Sequence, residues 1–540
     1  MLVDIPNLLK PNSVRGGQRA PCFWFPLLWA SGVLLAGPTV RAQQSTSLYF
    51  DALRQVHTGN FAQGCATAER VVQQQPRQFA AYNLLGVCAI RRGDREAAEA
   101  LFRKSLALNP QFSEARVNLA LTLIQRGKQK DAAIQLKEVL RLDPNNATAL
   151  YHLGTIETSS GASAMAVTHL SRAHDLSPSD VRITLALARC YLAEGQREAA
   201  AKLVNPVLGR EEPSQILLSA VLIAVEAGQH DLVRQALEQV LRRGPKALEE
   251  ILSQARELST QGSYETVRGL LEAVGSAGEN SSEWNALLGY AEYKLRDPSK
   301  ASAHLRRAIE LAPQVEEYYL KMGELLLFYN SDQAAAVFCK RGLQNIPNSA
   351  ALHFALAVAD WSHQLDSEGA IEHLNAALAI EPDFQSALEL LCLIQHRQKK
   401  WGALEQTADH LIRVNPNFSP GYYFKGAALE AKAPRSEKPE ATLAAARKLL
   451  EQSVRLEPQF AESHVGLGEL LEAQGELGRA IAEYQQAIKI DPNNSQGFYH
   501  LANAYRRAGE PEKSKLALEK FNQLKGQKEE GWVELFHIAK

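Results

Sequence analysis

The residues best equipped for chemistry in this chain stand apart from one another. His152, His353, His464 and His500 could each ligate a metal or move a proton near neutral pH, but each is isolated in sequence. Without a second ligand at metal spacing they read as packed or solvated helical residues. Glu469 and Glu472 lie one helical turn apart, the separation that pairs carboxylates for acid–base work, although a solvated face accounts for them as well. The segment Gly275-Ser276-Ala277-Gly278 has a small serine-centred pattern. It lacks the preceding strand that a nucleophile elbow needs to expose its hydroxyl. Phosphate loops, calcium loops and paired metal-binding histidines are absent at their required spacings. The expectation is therefore no catalytic residue, no metal and no cofactor.

Five cysteines follow residue 42: Cys65, Cys88, Cys190, Cys339 and Cys392. They occur singly, without zinc-site spacing or the density of a disulfide scaffold. Packed thiols are expected, with a Cys65–Cys88 bridge open in an oxidising compartment.

What positions these residues is a repeat. Prolines 76, 110, 144 and 178 are each 34 residues apart, as are 313 and 347, 382 and 416, and 458 and 492. Ten residues beyond these prolines stands a tiny residue, as at Gly86, Ala120, Gly154, Ala188, Gly426 and Gly468. Seventeen beyond stands a glycine, as at Gly93, Gly127, Gly161, Gly195, Gly475 and Gly509. Twenty-two beyond comes a second small residue, as at Ala98, Ala132, Ala166, Ala200, Ala335 and Ala480. Two antiparallel helices approach closely only where side chains are small. The glycine makes the turn between them and the proline ends the second helix. A pair of this size cannot bury its apolar face alone, so neighbours must stack.

This pattern resembles the tetratricopeptide repeat family, most fully over residues 459–492, where His464, Leu467, Gly468, Leu471, Gly475, Ala480, Tyr484, Ala487 and Pro492 keep its register. His464 departs from it, replacing the usual aromatic. The resemblance covers about 43–526 as fourteen units. It implies an all-α fold, a right-handed superhelical solenoid of stacked helix-turn-helix repeats, that binds peptide or protein partners in a concave groove lined by first helices. Carried onto this chain, the partner-binding positions are Val87, Leu121, Tyr151, His152, Arg182 and Arg189 early on, with Val117, Ile124 and Leu185 beside them. Later positions are Tyr290, Tyr293, Phe354, Trp361, Tyr499, His500, Asn503, Arg506 and Arg507. Aromatic and arginine side chains anchor interfaces, but packing between neighbouring helices explains the aromatics equally. Asn118 lacks the lysine partner of the family's terminal-carboxylate clamp. The asparagine ladder of its glycosyl-transferring relatives is also missing, because the equivalent positions are Leu84, His152 and Ala186.

The weak repeats divide the chain. Pro206 falls in a second helix, where it should kink or end it, making 205–213 the candidate bend. Val221 and Val267 replace small residues, so looser packing is expected there. Eight extra residues lie between Pro416 and Pro458, and Ala433–Pro439 should form a longer loop between two helices. The organisation expected is a signal peptide or anchor at 1–42, a first repeat array at 43–208, degenerate units at 209–279, a second array at 280–526 and a terminal capping helix at 527–540.

Arg15 and Arg19 precede the short apolar run 22–37, and Val40 and Ala42 follow as a cleavage pattern, the order of a secretory signal. The run is short for a span and contains Pro26, so cleavage is preferred to an anchor over residues 20–37. No later stretch is apolar enough to span a membrane. Lysine plus arginine at 59 balances aspartate plus glutamate at 60, which excludes the basic footprint of a nucleic-acid binder. The resulting expectation is a non-catalytic scaffold exported to the periplasm or secreted. The alternatives are a subunit of a cell-envelope assembly handling polysaccharide or outer-membrane protein, and a hydrolase or transferase sited in the groove.

Overall fold

The computed structural model describes residues 38–244, 246–364 and 367–524. Most of the expected signal segment and all of the expected capping helix lie outside them. The described residues form 28 α-helices and no strand, in fourteen consecutive pairs. The chain divides into two compact units, one reaching Ala247 and one starting at Leu248. That division falls within the degenerate region 209–279.

The first unit contains α1 (Pro38–His57), α2 (Phe61–Gln74), α3 (Phe79–Arg91), α4 (Arg95–Leu108), α5 (Ser113–Gln125) and α6 (Gln129–Leu142). It continues with α7 (Ala147–Ser159), α8 (Ser163–Leu176), α9 (Val181–Ala193), α10 (Arg197–Leu208), α11 (Ser214–Glu226) and α12 (His230–Leu241). The division falls near the start of α13 (Lys246–Thr260), which is followed by α14 (Tyr264–Val274), α15 (Ser282–Lys294), α16 (Pro298–Leu311), α17 (Glu316–Phe328), α18 (Asp332–Asn345), α19 (Ala350–Gln364) and α20 (Ser367–Ile380). The second unit ends with α21 (Gln385–Arg397), α22 (Trp401–Val414), α23 (Ser419–Lys432), α24 (Pro439–Leu456), α25 (Ala461–Ala473), α26 (Leu477–Ile490), α27 (Ser495–Arg507) and α28 (Pro511–Leu524).

The eighth residue of a typical first helix meets the second helix sixteen residues later. A Cβ added to Gly86 would lie 2.4 Å from the Phe102 ring, one on Gly154 2.6 Å from Leu170, and one on Gly468 2.5 Å from the Tyr484 ring. Phe102, Leu170 and Tyr484 are themselves fully buried. Small faces large at these three crossings, which lets the helices lie close. The expected small residues thus sit at helix contacts.

The turn glycines Gly93, Gly127, Gly161, Gly195, Gly475 and Gly509 all adopt positive φ, between 73° and 83°. Arg296, Asn330 and Lys399 occupy the same place at φ 65°, 52° and 56°. The left-handed turn is therefore imposed by the helix pair even where the side chain disfavours it. Several helices begin on a side-chain cap: Asp94 accepts from Ala97 N, Asn146 from Ala149 N and Asn494 from Gly497 N, satisfying otherwise unpaired amides. The proline carbonyl is used too. Tyr82, Tyr319 and Tyr422 donate their hydroxyls to the carbonyls of Pro76, Pro313 and Pro416. At the equivalent place in α25, His464 Nε2 lies 3.2 Å from the Pro458 carbonyl, so histidine stands in for the usual aromatic.

The degenerate repeats depart from expectation. α10 runs through Pro206 and ends at Leu208 with 12 residues, against 14 in α4, α6 and α8. Proline near the last turn shortens the helix rather than breaking it. Val221 and Val267 are fully buried, as is Val233, so their bulk is absorbed inside the unit. The second helices there shrink to 12 residues in α12 and 11 in α14. The insertion near Pro439 becomes a short 3-10 turn, Ala433–Arg435, plus a second helix lengthened to 18 residues. The loop expectation accounts for only part of it.

Cys65 and Cys88 are joined by a disulfide between α2 and α3. Cys190, Cys339 and Cys392 are buried free thiols. Among the described residues no helix is long and apolar enough to cross a membrane.

Candidate functional site: the first-helix face

Successive first helices pack on one another, α3 on α5, α7 on α9, and α21 on α23, α25 and α27 in turn. Their fifth, ninth and twelfth residues therefore share one face, because those offsets return to the same side of a helix. The expected site residues are distributed unevenly over it. Val87, Tyr293, Phe354 and Trp361 are buried, as are Val117 and Leu185. Their side chains fill the seams between first helices instead of presenting a surface. The Phe354 ring packs 5.2 Å from Phe384, Tyr293 lies 5.6 Å from Phe328, and the Arg397 guanidinium sits 5.6 Å over Trp361. Leu121 is half-buried against the apolar core.

In the first unit Tyr151 and His152 stack edge to face at 4.7 Å. Burial, reinforced by the nearby Arg182, lowers the His152 imidazole to about 4, so it is neutral at physiological pH. Arg182 reaches back to Asp180 at 2.8 Å, and Arg189 is exposed. In the second unit Tyr290 receives two ammonium groups on its ring, Lys294 at 4.9 Å and Lys321 at 4.1 Å. Each is paired with a carboxylate, Lys294 with Glu324 and Lys321 with Glu317. This is a closed cation–π cluster that fixes α15 against α17.

At α27, Tyr499 is 45% exposed and packs on His500 and Phe521. His500 Nε2 lies 2.7 Å from Glu469, and Arg507 donates to Glu472 at 2.6 Å. Glu472 also accepts from the Tyr484 hydroxyl at 3.0 Å, so Glu469 and Glu472 are engaged rather than a solvated pair. Arg506 donates to the neutral Asn503 at 3.1 Å.

A further ionisable cluster was not among the expected residues. His396 on α21, Glu430 on α23, and Glu462 and Glu469 on α25 gather around the Tyr423 ring, with Glu389 on the same face of α21. Burial and then Glu469 push the Glu430 carboxyl up to about 8, while burial and then Glu457 push Glu389 up to about 7. His396 is lowered by burial against the opposing pull of Glu469, and its ring lies 5.9 Å from Tyr423. Among these cluster members, Glu389 and Glu430 sit where burial holds ionisation back. All but Glu462 occupy the fifth, ninth or twelfth place of their helices, so the repeat register would have found them. Their carboxylates lack the aromatic or arginine character that marks an interface anchor in a sequence.

The isolated histidines are less isolated in space. His353 Nδ1 lies 3.4 Å from His373 Nδ1, and His373 Nε2 lies 3.7 Å from Asp360. Among the described residues no three donors converge as a metal ion requires. Asn118 is buried and donates to Asn83 at 2.9 Å, holding α5 to α3. Gly275–Ala277 forms a 3-10 turn following a helix, so Ser276 has no elbow.

Family models for the tetratricopeptide repeat match residues 285–315 and, as the TPR repeat, 469–509, and the cilia and flagella-associated protein 70 middle TPR-like domain matches 66–243. The chain is a tetratricopeptide repeat protein. Cellulose synthase operon protein C of Xanthomonas axonopodis pv. citri is 26% identical over 65% of this repeat protein and 26% of its own length. Human tetratricopeptide repeat protein 34 is 24% identical over 58% of this chain and 56% of its own length. The repeat protein therefore spans between about a quarter and just over half of these curated relatives. Yeast Tom70 is a solved neighbour at 16% identity and a TM-score of 0.32, with 85% of this chain and 94% of that one covered.

Proposed function

We propose that this tetratricopeptide repeat protein is an exported scaffold that binds peptide or protein partners along the face of its first helices. The observation that carries the reading is the Tyr423 cluster, where Glu430 of α23 and Glu462 and Glu469 of α25 face one aromatic ring. Half-buried carboxyls over an aromatic floor suit the ammonium or guanidinium of a basic segment, which would ionise Glu430 and Glu389 on arrival. Exposed Tyr499 and Arg506 extend the same face at α27. Its chemistry is that of recognition. Export rests on the residue order of 1–42, whose short apolar run and Val40–Ala42 ending fit a cleaved signal.

The test is capture of partners from an envelope extract by the mature chain, compared with a Glu430→Lys, Glu469→Lys variant and a Tyr499→Ala, Arg506→Glu variant. Loss of captured proteins by the first variant is the expected result, with partial loss by the second. Identical capture by all three chains would remove the face from consideration.

A second reading, a subunit of an envelope assembly handling polysaccharide or outer-membrane protein, is favoured by the cellulose synthase operon relative, which matches 65% of this chain. Fractionation with residues 1–42 intact separates the two. A free soluble chain supports the scaffold, and co-fractionation with a membrane complex supports the assembly.

A further inference from the structure

Three helix pairs set a carboxylate and an imidazole against each other at the same places. The eleventh residue of the first helix and the seventh of the second are Glu157 and His169 in α7 and α8, Glu292 and His304 in α15 and α16, and Asp360 and His373 in α19 and α20. Their contacts are 2.7, 3.8 and 3.7 Å. What differs is the fourth residue of the first helix, which is Leu150, Asn285 and His353 in turn. Leucine offers the ring nothing polar. Asn285 Oδ1 lies 3.2 Å from His304 Nδ1 while His304 Nε2 faces Glu292, so both nitrogens of that ring meet an oxygen. In the third pair the fourth place holds a second imidazole. His353 Nδ1 lies 3.4 Å from His373 Nδ1, while His373 Nε2 faces Asp360.

Asp360 favours the tautomer of His373 that carries its proton on Nε2, which leaves the Nδ1 lone pair aimed at His353. The gap between the two Nδ1 atoms exceeds the about 2.7–3.2 Å of a good N–H hydrogen bond, and it suits a cation shared by both. With zinc–nitrogen bonds of about 2.05 Å, nitrogens 3.4 Å apart subtend about 112° at the metal, close to tetrahedral. A right angle with bonds of that length, as a square-planar ion requires, would bring the nitrogens to about 2.9 Å and fits this pair less well. Both rings are half-buried, so an ion reaches them from solvent. A closed metal site needs further side-chain donors, and among the described residues no group of three converges. Two imidazoles make the open kind, in which water fills the remaining positions.

We propose that His353 and His373 form a zinc-binding site, with Asp360 as the positioning residue that orients the His373 ring, and that the ion ties α19 to α20. The site stands apart from the fifth, ninth and twelfth places of the first-helix face and needs neither export nor a partner.

The test titrates zinc chloride into the full chain, stripped with a chelator and prepared without a histidine tag, and reads binding by calorimetry and hydrogen exchange. One zinc ion per chain is expected, with slower exchange over α19 and α20 alone. His353→Ala and His373→Ala should each abolish the binding, and His353→Gln replaces the alanine variant if that chain fails to fold. His410→Ala, which removes an imidazole paired with Asp383 elsewhere in the second unit, should bind as the parent does. Asp360→Asn should weaken the affinity by about tenfold, with Asp360→Glu restoring most of it. A parent chain that takes up no zinc, or a His353→Ala, His373→Ala chain that binds it undiminished, overturns the site. Parent affinity in Asp360→Asn overturns the positioning role, and unchanged exchange in α19 and α20 on zinc binding overturns the tie between them.

Discussion

The first-helix faces of the two compact units share one spacing and differ in what they display. In the first unit the exposed or half-buried places hold Leu121, Tyr151, a neutral His152, Arg182 and Arg189. In the second they hold Tyr290 under two lysines and then the carboxyl-rich surroundings of Tyr423. Beneath both, the eighth residue of the first helix meets a large side chain of the second, Gly86 against Phe102 in one unit and Gly468 against Tyr484 in the other. The difference teaches that fold and recognition occupy separate registers of one repeat. The crossing fixes the helix pair, which leaves the fifth, ninth and twelfth residues free to vary in charge.

The largest expected effect attacks what the units share. Gly86→Leu and Gly468→Leu each force a branched side chain into a buried aromatic ring and should cost about 1 to 3 kcal/mol or more, read as a drop in the local unfolding midpoint or a gain in hydrogen exchange over that pair. Gly154→Leu, against Leu170, should fall in the same range. Gly323→Ala is the contrasting case, because an added Cβ meets only Cys339 Sγ at 3.6 Å. Its stability should change little. If Gly86→Leu were tolerated and Gly468→Leu were not, the two crossings would not be equivalent and the comparison would break.

The next effect attacks what the units do not share. Glu430→Lys with Glu469→Lys should weaken binding of a lysine- and arginine-rich peptide by about tenfold or more, since each reversed charge removes an attraction and adds a repulsion in a half-buried place. Tyr151→Ala with Arg189→Ala, in the first unit, should leave that affinity within about twofold. Calorimetric titration of the four-residue set against one peptide decides it, and equal losses from both pairs would erase the proposed division of labour. Raising pH from 6 to 8 should strengthen the peptide's binding to the parent chain, because Glu389 and Glu430 are held near 7 and 8 and ionise over that range.

How much of this was open to reading follows from the same separation. The fourteen pairs, the crossing residues and the turn glycines repeat, and repetition is visible in one sequence. The positive φ of Arg296, Asn330 and Lys399 was not, because no glycine marks those turns. Val87, Tyr293, Phe354 and Trp361 occupy the fifth, ninth or twelfth places of their helices, but how deep a residue sits there depends on the neighbouring unit's side chains. Phe384, for example, closes over Phe354 from the start of α21. The Tyr423 cluster joins three units separated by tens of residues, so its members look like ordinary surface carboxylates until the helices are stacked.

The smallest effect concerns a carboxylate that belongs to neither register. Glu292 on α15 is 1% exposed, and its Oε2 has no hydrogen-bond partner. Its Oε1 lies 3.8 Å from His304 Nε2 on α16. Glu157 with His169, at 2.7 Å, repeats the arrangement in the first unit with a closer contact. The groups facing Glu292 are His304, Lys300 and Asp297 from α16 and its cap, and Glu272 and Arg268 from α14. Burial raises Glu292 to about 7, with Lys300 opposing, whereas burial lowers His304. A carboxyl whose folded value lies above its unfolded one binds more protons when folded, so its stabilising contribution is complete below about 4.5 and is lost as pH rises through 7. His304 acts oppositely, its contribution being present above about 6.5 and lost as pH falls through its lowered value. Between pH 6.5 and 8.5 the glutamate dominates, and α15 should lose on the order of 1 kcal/mol of protection, measured as hydrogen exchange corrected for its intrinsic pH dependence. Glu292→Gln should flatten that profile, whereas Glu157→Gln should weaken its own pair through loss of the close histidine contact. A parent profile already flat over this range would show that burial does not hold Glu292 protonated, and the contrast between the two buried acids would disappear.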